Sequence, residues 1–152
     1  HSPWEISRVL PGGITFFPTG TEVNAVDMTV MPTTNSIGVT WFDHTSNLPS
    51  GNHKYCADGS RGWLAHATSS LVFIKAFEDQ PASAKPPGQG EIQLYVSGGN
   101  YEEVEQMGAY EYITAGSALS WKLTWYLRNF PSDAQFAVGN QALVDFIDNQ
   151  VK

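Results

Sequence analysis

Paired carboxylates, and cations set inside apolar runs, are the residues of this chain best suited to chemistry. Glu103 and Glu105 share one face of an extended segment by the period of two, with Val104 opposite. Two acids held close can have their pKa values pushed apart by crowding and burial, as proton transfer on a sugar requires. Glu91, Gln93 and Tyr95 share a strand face for the same reason. Lys75 stands in the otherwise apolar run from Leu71 to Phe77. An ammonium there is costly unless it is paired or faces a cavity. The string Asp58-Gly59-Ser60-Arg61-Gly62-Trp63 offers a planar five-donor guanidinium and an indole face, suited to a carboxylate or to sugar hydroxyls and a sugar ring. Each has a plainer alternative. Glu102, Glu103 and Glu105 fit the solvated face of an edge strand. Lys75 can snorkel from a strand end. Arg61 can pair with a nearby carboxylate while Trp63 enters the core.

Metal chemistry has weaker support. The four histidines, His1, His44, His53 and His66, form no HxH, HExxH or Cys/His spacing. No metal is favoured, with one exception built on the chain start. A free N-terminal His1 offers an amine and an imidazole to one ion. With His44, His53 or His66 it would complete a copper site of the histidine-brace kind, since such nitrogens suit Cu(II). Cys56 is the single cysteine, which excludes an intrachain disulfide and a cysteine-rich zinc site. No GxSxG, P-loop, GxGxxG or EF-hand string occurs.

Composition narrows the partners. Eight Lys and Arg against 15 Asp and Glu give a net charge of −7, which opposes binding to a nucleic-acid backbone. No apolar run reaches the ~18 residues of a spanning helix. Aromatic residues at 12% and charged residues at 15% mark a chain that folds. At 152 residues, one domain over 1–152 is expected. A start at His1 rather than Met is expected of a chain that was processed, excised from something longer or read incompletely; signal removal, the first of these, would make the protein secreted or periplasmic.

The elements that must position these residues read as strands. Ile14, Phe16 and Phe17 follow a Pro11-Gly12-Gly13 turn. Val23 to Met31, Ile37 to Phe42 and Glu91 to Val96 are further strand segments. The run Leu71 to Phe77 is apolar on both faces, as in a strand buried on both sides. Leu119, Trp121, Leu123, Trp125 and Leu127 line one face of a long strand. Glu78 to Gly90 reads as a long surface loop within the domain. Only the tail is helical: Leu143, Phe146, Ile147 and Val151 form the stripe, with Asn140 as N-cap. The expectation is an all-β antiparallel sandwich with a short C-terminal helix.

An ordered set of residues carries a resemblance. It runs from Trp4-Glu5-Ile6-Ser7 and Pro11-Gly12-Gly13 through Lys54 and Arg61-Gly62-Trp63-Leu64-Ala65. Leu71 to Phe77, Glu91 to Tyr95, Tyr101 to Gly108 and Trp121-Lys122-Leu123 complete it. The set resembles the carboxy-terminal portion of the DUF4380 proteins, a family of unknown function similar to the galactose mutarotase-like β-supersandwich. The resemblance implies a two-sheet sandwich with a carbohydrate ligand on its concave face. It places Arg61, Trp63, Lys75, Glu91 and Glu105 near that face. Family members carry further strands upstream, so the chain is expected to be part of a larger sandwich or to need a partner chain or second copy over an exposed sheet. The His and Asn-His motifs of aldose epimerases are not recognisable here, so mutarotase activity is only an analogy.

The sequence-based expectation is therefore a carbohydrate-recognising sandwich. As an epimerase- or lyase-like enzyme it would use Glu105, Lys75, Arg61 and Glu91 for proton transfer and oxyanion stabilisation. Trp63, Tyr95, Trp4 and Glu103 would hold the sugar. The alternatives are a non-catalytic binding or assembly module, and a copper protein built on His1.

Overall fold

The computed structural model describes residues 1–22, 26–27, 31–45 and 51–152. Their strands are β1 (Trp4–Val9), β2 (Ile14–Pro18), β3 (Val26–Asp27), β4 (Thr33–Ser36), β5 (Val39–Asp43) and β6 (Asn52–Ala57). They continue as β7 (Trp63–Ala67), β8 (Leu71–Phe77), β9 (Ile92–Ser97), β10 (Glu102–Met107) and β11 (Leu123–Asn129), followed by helix α1 (Gln141–Gln150). Two sheets result, a five-stranded one ordered β1-β10-β9-β6-β3 and a six-stranded one ordered β11-β8-β7-β2-β5-β4. All strand pairs within them are antiparallel. The protein is an all-β sandwich with one short C-terminal helix.

The alternation of side chains across β2 and β8 creates two cores. Phe17, Phe42 and Leu64 point to the five-stranded sheet and meet Tyr55, Ile92, Leu94, Val96 and Val104. Phe16, Trp41, Trp63, Ile74 and Val72 point the other way and meet Leu143, Val144 and Ile147 of α1. Phe16 stacks on Trp41 with ring centroids 4.5 Å apart. The layers are thus sheet, sheet and helix, and the strands of the six-stranded sheet from β8 inward lie between the two cores. That is why β8 reads as apolar on both faces apart from Lys75. The α1 helix starts where expected: Asn140 Oδ1 accepts from the Leu143 amide at 3.0 Å, satisfying one of the orphan N–H groups of the first turn.

Three expected elements differ. The segment from Ile37 does not begin a strand. Ile37 and Gly38 form the two-residue turn of the β4–β5 hairpin, with φ of 52° and 73°, the positive values that a tight hairpin of matching twist needs. The long strand from Leu119 begins only at Leu123, because its partner β8 ends at Phe77, opposite Leu123. Trp121 instead lies against Gly108, where an added Cβ would sit 2.8 Å from the indole. The connection between Phe77 and Ile92 is not purely a surface loop. It makes a 3₁₀ turn at Ala82–Ala84 and then buries Lys85. Of the expected strand from Val23 to Met31, Val26–Asp27 is a strand and Met31 is buried; 23–25 and 28–30 lie outside the described residues.

Candidate functional site: the outer face of the five-stranded sheet

Register decides which face each polar residue occupies. Ile6, Glu105, Gln93 and Cys56 form one row across β1, β10, β9 and β6. Arg8, Glu103, Tyr95 and Lys54 form the next, and Trp4 pairs with Met107. Val104 and Leu94, one residue out of phase, enter the core between the sheets. Trp4, Tyr95, Glu103 and Glu105 therefore share the outer face, away from that core.

A cleft of about 230 Å³ opens on this face, lined by Trp4, Lys54, Gln89, Gln93 and Met107. Trp4 is 54% exposed. Lys54 Nζ lies 5.6 Å from the centre of the Trp4 ring and donates to Glu105 Oε1 at 2.6 Å. Gln93 Nε2 donates to Gln89 Oε1 at 3.0 Å, which fixes both amides at the rim. Beside the cleft, Arg8 Nε donates to Glu103 Oε1 at 2.8 Å and its guanidinium covers the Tyr101 ring. Tyr95 and Tyr101 approach with centroids 6.3 Å apart.

Glu105 is fully buried beneath these side chains, and its Oε2 accepts no hydrogen bond among the described residues. Burial pushes its pKa above the ordinary carboxylate value; the Lys54 ammonium and the Trp4 indole act against that, while the Glu103 charge adds to it. A carboxyl so placed holds its proton more readily than a free one, which is the direction a general acid or base requires.

The other expected site residues lie elsewhere. Lys75 is buried between the sheets, where Nζ donates to Val104 O at 2.6 Å and pairs with the Glu5 carboxylate. Burial lowers its pKa to about 8, with Glu5 opposing. Arg61 and Trp63 sit under α1: Arg61 pairs with Asp148, and Trp63 Nε1 donates to Asp148 Oδ1 at 2.8 Å. Both occupy the places that the plainer alternative assigned them. Glu91 is buried just before β9. Its Oε1 accepts from the Gly59 amide at 2.8 Å and its Oε2 lies 3.1 Å from Lys85 Nζ. Burial raises its pKa to about 7, with Lys85 opposing. Lys85 also pairs with Asp58. The solvated-edge alternative for the acidic run is overturned, because β10 lies between β1 and β9 and both Glu102 and Glu105 are buried.

Sequence reasoning gave no role to Lys54, Gln89 or Met107. They stand in three separate segments: the pairing of β6, β9 and β10 joins Lys54 and Met107, and the bond from Gln93 brings in Gln89. It also missed the buried set of Glu102, His44 and His66, assembled from β10, the end of β5 and β7. His44 Nδ1 lies 3.3 Å and His66 Nδ1 3.9 Å from Glu102 Oε2. The amine of His1 donates to Glu111 O at 2.7 Å, a bond that a copper ion at His1 would have to displace. Among the described residues no group of three or more His, Cys, Asp or Glu could hold a metal ion.

The arrangement defines an all-β sandwich with one helix-covered sheet and one sheet whose outer face carries a polar cleft. No family model, no curated protein and no solved structure matches the chain.

Proposed function

We propose that the protein recognises carbohydrate on the outer face of the five-stranded sheet. The carrying observation is the half-exposed Trp4 indole standing over a cleft whose other walls are an ammonium, two amides and a thioether, with Glu105 beneath. An indole face packs on the apolar C–H face of a sugar ring, while amide and ammonium groups bond its hydroxyls. Tyr95, Tyr101, Arg8 and Glu103 extend the platform along the sheet. The resemblance to the DUF4380 proteins supplies the same ligand class from the sequence side.

A broad panel of mono- and oligosaccharides, read by thermal shift and by tryptophan fluorescence, tests the proposal. The expected result is stabilisation by a subset of sugars, lost in Trp4→Ala and kept in Trp4→Tyr. A folded protein that no sugar in the panel stabilises would sink it.

Turnover is the second reading, and Glu105 favours it: a carboxyl with a raised pKa beside an ammonium is equipped for epimerase- or lyase-like proton transfer. Glu105→Gln separates this from a non-catalytic module. An enzyme keeps sugar binding and loses product formation, whereas a binding module never shows product.

A further inference from the structure

Six strands face five, and at the β1 side of the sandwich the longer sheet overhangs the shorter. Lys75 on β8 reaches Glu5 on β1 and Val104 on β10, so β8 lies over the β1–β10 pair. The strand β11 is one place further out, about 4.8 Å beyond β8. Its register sets Trp125 beside Lys75 and Leu127 beside Phe73. Both side chains therefore point toward the layer of the five-stranded sheet. Past β1 that layer has no strand among the described residues, and Trp125 and Leu127 remain 58% and 63% exposed. Among the described residues the strand β1 pairs with β10 alone, which leaves its other edge of N–H and C=O groups open to a further strand. At one end the trough deepens into a mainly apolar pocket of about 390 Å³, walled by Leu10, Leu71, Phe73 and Leu127, with His66 and Thr68 as its polar lining.

We propose that this trough seats a single extended segment of another polypeptide, which adds to β1 as a sixth strand and completes the sandwich. The open edge supplies main-chain hydrogen bonds and fixes direction and register. The guest's inward side chains, alternate residues along it, must be apolar, because they land on Trp125, Leu127 and the terminal pocket. Its outward side chains continue the outer face beyond Ile6 and are polar. Matching the six residues of β1 takes a guest of about 20 Å.

A second copy of this chain paired antiparallel through β1 does not fit. Twofold pairing of β1 with β1 would place each overhanging β11 opposite the other copy's β1. With a strand spacing of about 4.8 Å, the two β11 strands would then claim the same position. The space admits one lone strand.

The test is a display library of eight-residue peptides alternating apolar and polar residues, selected on the intact protein. Selected peptides are expected to bind tighter than about 1 mM and to slow hydrogen exchange at β1 amides that β10 leaves unbonded. Trp125→Arg and Leu127→Arg change exposed residues, and circular dichroism checks that each variant keeps its fold. Each is expected to weaken binding by about tenfold or more. N-methylating alternate peptide amides on the strand-facing side is expected to do the same. The proposal is overturned if no library member binds, if binding ignores both changes, if protection appears at β4 instead of β1, or if sedimentation shows this face closed by a second copy.

Discussion

Strand β10 carries two glutamates, Glu102 and Glu105, that are equally buried and face opposite ways. Glu102 points inward, with its side chain fully enclosed beside His44 and His66. Both its oxygens, and both nitrogens of His44, lack hydrogen bonds among the described residues. Glu105 points outward, bonded to Lys54 under a half-exposed tryptophan and beside an open cleft. Three positions along a strand turn a side chain to the opposite face. Depth of burial therefore does not distinguish the two acids; the face each one occupies does. The inner layer, with Glu102 and the Lys75–Glu5 pair, is expected to govern stability, and the outer face to govern ligand binding.

The largest effect should come from the inner layer. Lys75→Ala removes a fully buried side chain, strips Glu5 Oε2 and the Val104 carbonyl of the ammonium, and leaves the Glu5 carboxylate only the Ser7 hydroxyl. A cost of about 3–5 kcal/mol is expected, because a cavity and an uncompensated buried group add. Chemical denaturation measures it, and pairing Lys75→Met with Glu5→Gln should recover part of the loss. Trp4→Ala should cost about 1 kcal/mol or less, since its side chain is half exposed, yet remove sugar binding. A Trp4 variant that unfolds as readily as the Lys75 variant would erase the distinction.

The inner layer also has a pH signature. Lys75 titrates near 8 when folded and near 10.5 when unfolded. The unfolded chain binds more protons between those values, so this group raises stability as pH climbs through the window. Subtracting the Lys75→Met curve from the wild type should isolate that rise. His66 is held below its ordinary value of 6.5, by burial first and by His44 as well, against the pull of Glu102. The unfolded chain binds the extra proton as pH falls through 6.5, so stability drops on the acid side until the folded ring also titrates. His66→Gln should flatten that slope in a pH series of denaturation midpoints. An unchanged slope would mean that the buried set is not what titrates.

Strand periodicity made the layered core legible. The two-faced apolar run around Lys75, the helix at Asn140 and the shared face of Glu103 and Glu105 all follow from spacing alone. What spacing could not supply was which strands are neighbours. Lys54 is an ordinary lysine until the pairing of β6 with β9, and of β9 with β10, brings it to Glu105. Arg61 and Trp63 looked like a sugar clamp because they are close in sequence. Asp148, 85 residues after Trp63, is the group that claims both. Ile37 misled because a β-branched residue at positive φ is a choice that propensity does not foresee.

Smaller effects sharpen the boundary between the two regions. Glu105→Gln removes an ionised form that burial disfavours but also ends the Lys54 ion pair. These oppose, so a net stability change of about 1 kcal/mol or less is expected, while any proton transfer is abolished. Arg61→Ala should matter least. Its pair with Asp148 is 38% and 26% exposed on the two sides, and partly solvated ion pairs contribute about 0.2–1 kcal/mol. Trp63 keeps its own bond to Asp148, so the carboxylate is not stranded. Sugar binding should be untouched in this variant, because Arg61 lies beneath α1 on the far side of the six-stranded sheet. If Arg61→Ala abolished binding while leaving stability intact, the ligand face would belong under α1, and the outer face around Trp4 would lose its role.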